Sequence, residues 1–96
     1  MAMTPEAKVK KKATTILKDA GAYYFYPVTG GYGNSGVPDI VACYKGRFIG
    51  IECKAGKNKP TALQEKNLNS ISSNGGVALV INENNLELLV STLMEI

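Results

Sequence analysis

The stretch from Asp39 to Lys54 constrains the fold most. Residues 39–44 (DIVACY) and 48–54 (FIGIECK) read as two strands flanking Lys45-Gly46, a plausible tight hairpin. If Lys45-Gly46 is a two-residue loop, Tyr44 pairs with Arg47, Cys43 with Phe48, Val41 with Gly50 and Asp39 with Glu52. Directly paired residues share a face, with Cβ atoms roughly 5 Å apart, and strand alternation puts Lys54 on that face too. Two carboxylates and an ammonium are thus expected to converge at the open end of the hairpin. A slip of one residue would separate Asp39 from Glu52.

Around this hairpin the remaining elements can be laid out. Thr4-Pro5-Glu6 has the form of a helix start, and Val9, Ala13, Ile16, Leu17 and Ala20 recur at helical spacing before Gly21. An aromatic run, AYYFYPV, follows as a strand broken by Pro27, its aromatics assigned to core and interface. The glycine loop Gly30–Gly36 lacks a Gly-Lys-Ser/Thr ending and leads into a strand, which argues against a nucleotide-binding P-loop. Thr61 and Gln64 form a capping-box pair opening a helix that ends near Gly75-Gly76. VALVI (77–81) is a short apolar strand, and Asn84 or Asn85 is placed to cap a last helix, LELLVSTLME. The expected architecture is a single α/β domain over residues 1–96, order α-β-β-β-α-β-α, with a central mixed sheet flanked by helices.

Composition narrows the chemistry. The chain has 96 residues and no histidine, which removes histidine-based triads, histidine acid–base catalysis and most zinc sites. Catalysis would have to use carboxylates, lysine, tyrosine or a metal held by oxygen. Cys43 and Cys53 are too few for a disulfide framework and read as reduced core residues. No apolar run reaches the length of a membrane span and no signal-peptide h-region follows Met1, so a soluble, cytoplasmic protein is expected. Residues 1–66 hold all 11 lysines and arginines against five acids, a net +6, whereas residues 67–96 hold three acids and no base, −3. That asymmetry suits a polyanionic partner and equally a solvated basic helix face.

Two close carboxylates repel unless positive charge lies between them. Lys54 supplies part of it, and a hard divalent cation such as Mg²⁺ or Mn²⁺ would do more. On spacing alone, a metal site and a plain Asp/Glu/Lys ion network fit equally well.

Gly36-Val37-Pro38-Asp39, then Ile51-Glu52-Cys53-Lys54, then Gln64, resembles the PD-(D/E)xK nuclease superfamily, and within it the VRR-NUC family of phage and bacterial nucleases. The resemblance spans nearly the whole chain. It implies that Asp39, Glu52 and the backbone carbonyl of Cys53 hold Mg²⁺ or Mn²⁺, with Glu6 as a further ligand or a helix-dipole partner. It implies that Lys54 activates water and offsets phosphate charge, and that Gln64 both touches the site and closes its capping box. Lys57 and Lys59, with Lys10, Lys11 and Lys12, are expected to meet DNA phosphates. Tyr32 would stack on a base or on its own sheet. The last helix carries more apolar surface than one stripe needs, so a homodimer is expected. Such a dimer suits a two-fold branched DNA substrate. The implied activity is a structure-selective endodeoxyribonuclease, of the Holliday-junction resolvase kind, acting in a bacterial or phage-infected cell. The alternatives are a nuclease for flaps, nicks or restriction-type sites, or a non-catalytic DNA-binding domain.

Overall fold

The computed structural model describes residues 3–28 and 35–96. Its elements are α1 (Pro5–Ala20), β1 (Tyr23–Phe25), β2 (Ile40–Tyr44), β3 (Arg47–Cys53), α2 (Ala62–Ser73), β4 (Val77–Ile81) and α3 (Leu86–Glu95). This is the expected order. The four strands form one mixed sheet, β1-β2-β3-β4, antiparallel except for the parallel β3–β4 pair.

Local chemistry explains the boundaries. Thr4 Oγ accepts from the Ala7 N–H (3.1 Å), Pro5 opens α1, and Gly21 closes it at φ +83°. The β2–β3 turn places both Lys45 (φ +50°) and Gly46 (φ +80°) in the left-handed region, as a two-residue hairpin demands. The register is therefore Tyr44 opposite Arg47, Cys43 opposite Phe48 and Val41 opposite Gly50, ending at Ile40 opposite Ile51. β4 joins β3 in parallel, with Glu52 beside Val80 and Cys53 beside Ile81.

The two sheet faces differ. On one lies the core: Val9, Ala13 and Leu17 of α1 and Leu89 and Leu93 of α3 against Ile40, Ala42, Ile49, Ile51, Cys53 and Ile81. The other carries the alternate residues, Val41, Cys43, Phe48, Gly50 and Glu52, and α2 covers the part formed by β3 and β4. There Gly50 lets Ile71 and Pro38 approach: an added Cβ would lie 2.6 Å from Ile71 Cδ1 and 3.1 Å from Pro38 Cγ. Gly50→Ala is therefore expected to cost about 1–3 kcal/mol by overpacking, read as a lower urea midpoint at unchanged slope.

Three expectations need correction. β1 spans only Tyr23–Phe25, and of the aromatic run only Tyr24 packs against the core; Tyr23, Phe25 and Tyr26 are exposed, so they are not core residues. Cys43 is exposed while Cys53 is fully buried, because Cys43 lies on β2 beside Tyr23 of β1, outside the β3–β4 part of the face that α2 covers. Asn85 does not cap α3 with its side chain. It instead accepts from the Asn82 N–H (2.7 Å) and donates to the Val80 carbonyl (3.0 Å), which stiffens the β4–α3 turn. Among the described residues, no helix is long and apolar enough to cross a membrane.

Candidate active site

The site forms where β2 begins and β3 ends. Asp39 immediately precedes β2, and Lys54 immediately follows β3. One step beyond the last hairpin pair, Ile40–Ile51, Asp39 turns its carboxylate onto the backbone of the neighbouring strand. The Cys53 N–H donates to Asp39 Oδ2 at 2.8 Å. Alternate strand residues turn their backbone groups to opposite edges. Lys54 N–H points the other way and donates to the Ile81 carbonyl (2.9 Å), so the Cys53 carbonyl faces the Asp39 edge. The Cys53 side chain lies in the core, and burial together with the nearby Asp39 and Glu52 charges pushes its thiol up to about 12. It is no nucleophile.

Glu52 is the anomaly of the sheet, a carboxylate only 1% exposed. Its Oε1 accepts from Gln64 Nε2 at 3.3 Å, and its Oε2 has no hydrogen-bond partner among the described residues. Gln64 is itself held by the capping box. The Thr61 N–H donates to Gln64 Oε1 (2.9 Å), and the Gln64 N–H donates to Thr61 Oγ (3.2 Å). α2 thereby begins by aiming an amide at Glu52. Burial, foremost, and then the Asp39 carboxylate beside it push the Glu52 carboxyl up to about 8; Lys54 opposes the shift and Glu6 adds to it.

Asp39 opens into a groove of about 490 Å³ between the start of α1 and the loop after β3, lined also by Glu6, Lys10, Ala55 and Asn58. The Lys10 ammonium lies 4.5 Å above the centre of the Tyr26 ring. Lys57 and Lys59 are exposed on the loop, and Lys11 and Lys12 on α1. Lys12 and Lys8 line an adjoining groove with Gly56, Asn58 and Glu83. Asn58, Lys8 and Glu83 were not singled out from the sequence, since nothing in their spacing ties them to the hairpin. Tyr32 lies outside the described residues.

Among the described residues no three His, Cys, Asp or Glu side chains cluster as a metal cage. The available donors are the Asp39 and Glu52 carboxylates and the Cys53 carbonyl, all oxygen. Such a set fits a small hard cation that keeps several waters and takes substrate phosphates as its remaining ligands. The orphaned Glu52 Oε2 agrees with this, because a buried oxygen without a donor is costly.

Residues 7–90 match the family model described as archaeal Holliday junction resolvase (Hjc). The chain belongs to that family. It is a nuclease family, and the matched span runs from α1 through the hairpin and α2 into α3. The fold is that of a solved structure described as a VRR_NUC domain, with a TM-score of 0.78 at 20% identity over 93% of this chain and 97% of the other. The VRR-NUC likeness drawn from Pro38-Asp39 and Glu52-x-Lys54 thus holds at the level of fold. No curated protein matches the sequence.

Proposed function

We propose that this chain is a metal-dependent, structure-selective endodeoxyribonuclease that cuts four-way DNA junctions, with Asp39, Glu52 and Lys54 at its centre. The observation that carries this reading is Glu52. A buried carboxylate beside a second carboxylate, with one oxygen unpartnered, is held in place by a helix-start glutamine. A fold gains no stability from such a group, so its use lies in what it binds.

Asp39, Glu52 and the Cys53 carbonyl would hold Mg²⁺ or Mn²⁺, with Glu6 on the groove wall as a further acid. When bound, the ion supplies a water of lowered pKa and polarises the scissile phosphoryl group. The Cys53 N–H fixes the Asp39 carboxylate, and Gln64 fixes Glu52. Lys54 leaves β3 next to both. Its ammonium orients the attacking water and offsets the negative charge that builds on the phosphoryl oxygens. Water oxygen joins phosphorus, one ester bond breaks, and the departing alkoxide takes up a proton. Lys10 on the groove wall, Lys12 on the adjoining groove, and the exposed Lys11, Lys57 and Lys59 would hold phosphates on either side of the cut.

A four-way junction has two-fold symmetry, which a homodimer can match with two sites. α3 shows Leu88, Val90 and Met94 to solvent, and β1 shows Tyr23 and Phe25. These apolar surfaces support self-association. Light scattering at micromolar concentration is expected to give twice the chain mass, and a monomeric mass would refute the two-fold arrangement.

Labelled four-way junction, flap and linear duplex should be incubated with Mg²⁺, Mn²⁺ or EDTA. Junction cleavage that needs metal is expected. Preference for the flap would overturn the substrate assignment, and no cleavage of any DNA would overturn the enzyme.

A further inference from the structure

Glu83 is out of keeping with its surroundings. It is an acid lining a groove with Lys8 and Lys12, beside the loop that carries Lys57 and Lys59. A carboxylate there repels the phosphates those lysines attract. Yet its Oε1 accepts from the Gly56 N–H at 2.7 Å, a short charge-assisted bond between positions far apart in the chain.

The support beneath Glu83 is stiff. Asn82 and Asn85 close the turn around it: the Asn82 N–H donates to Asn85 Oδ1 (2.7 Å), the Asn84 N–H to Asn82 Oδ1 (2.8 Å), and Asn85 Nδ2 to the Val80 carbonyl (3.0 Å). On the loop side Gly56 has φ +60°, a conformation that disfavours other residues, with open space where a Cβ would sit. Among the described residues, the other hydrogen bond made by the backbone of residues 55–60 is local, from the Asn58 N–H to the Ala55 carbonyl (3.1 Å). Glu83 is thus the tie between the β4–α3 turn and the lysine loop.

We propose that Glu83 is a positioning residue for DNA binding. By holding the Gly56 N–H it pre-orders the loop that presents Lys57, Asn58 and Lys59 beside Lys54. Ordering the loop before DNA arrives lowers the entropy lost on binding. This rests on the reading of the chain as a DNA nuclease and adds to it a residue outside the reacting centre.

The test compares Glu83→Ala, Glu83→Gln and Glu87→Ala, the last removing an equal charge from the exposed face of α3. Four-way-junction affinity is measured in Ca²⁺, cleavage in Mg²⁺, and Gly56 amide exchange by NMR in the free protein. Glu83→Ala is expected to weaken junction binding roughly tenfold, the loss of one charge-assisted hydrogen bond. It should raise KM with kcat little changed and speed Gly56 exchange. Glu83→Gln keeps an acceptor oxygen and should bind at least as tightly as wild type with Gly56 still protected, and Glu87→Ala should leave all three unchanged. If Glu83→Ala and Glu83→Gln tighten binding alike, Glu83 is only a repelling charge and the proposal falls. It falls equally if Glu83→Ala leaves affinity unchanged, or if Glu87→Ala weakens binding as much. A wild type that binds no junction would instead sink the nuclease reading, while Gly56 exchange would still report whether Glu83 holds the loop.

Discussion

Lys54→Ala is expected to slow junction cleavage by roughly 10²- to 10³-fold, the usual effect of removing one preorganised charge from a transition state. The fold should survive, because the Lys54 contribution to the sheet is its backbone N–H on the Ile81 carbonyl, which alanine retains. Junction affinity should change little, since phosphate attraction is spread over Lys57, Lys59 and the lysines of α1. Lys54→Arg should restore little of the rate. A guanidinium spreads its charge over a planar fork and does not reproduce a compact ammonium. Single-turnover rates at saturating enzyme, with circular dichroism of each variant, separate loss of chemistry from loss of fold. Rates within a few fold of wild type would remove Lys54 from the reaction.

The second large effect is on stability. Burial and the neighbouring Asp39 push Glu52 from an ordinary 4.5 up to about 8, so the folded protein keeps a proton that the unfolded chain gives up. Below pH 4.5 both states carry it and the Glu52 contribution is fully present. As pH rises to about 8 only the folded state still holds it, and stability drains away, by an amount on the order of a few kcal/mol. Metal-free protein is therefore expected to melt progressively lower from pH 5 to pH 8. Glu52→Gln should flatten that slope and raise the melting temperature at pH 8 while abolishing cleavage. Its amide keeps an oxygen for Gln64 Nε2 and brings no charge into the buried site. Mg²⁺ or Mn²⁺ should raise the wild-type melting temperature most at high pH, where Glu52 is free to ionise, and should leave Glu52→Gln unmoved. Thermal melts from pH 5 to 8, with metal and with EDTA, check both statements. A wild type that gains stability up to pH 8 without metal would contradict a buried Glu52 that holds its proton in the folded state.

Much of this site is legible in the sequence alone, for a local reason. A two-residue hairpin has one register, so Lys45-Gly46 alone dictates which residues of β2 and β3 face each other. The helix starts were equally local. Thr4-Pro5 and the Thr61–Gln64 box act within one turn of chain, and both form as their spacing requires. What escaped depends on long-range placement. Pairing alone did not reveal that Asp39 would hang its carboxylate on the Cys53 N–H, because the bond forms one residue beyond the ladder. The 27-residue separation of Gly56 and Glu83 left no pattern to read. Asn85 had the composition of a cap but found stronger partners in Asn82 and Val80. Cys43 was read as a core residue from the scarcity of cysteines, and its exposure follows from how far α2 reaches across the sheet.

The Asp39–Glu52–Lys54 corner is proposed to hydrolyse DNA. The most direct measurement of this is strand cleavage of a labelled four-way junction in Mg²⁺ by wild type and by Asp39→Ala, each shown to be folded and to bind the junction. The wild type is predicted to cut and Asp39→Ala to bind without cutting. Cleavage by Asp39→Ala at the wild-type rate would contradict the account.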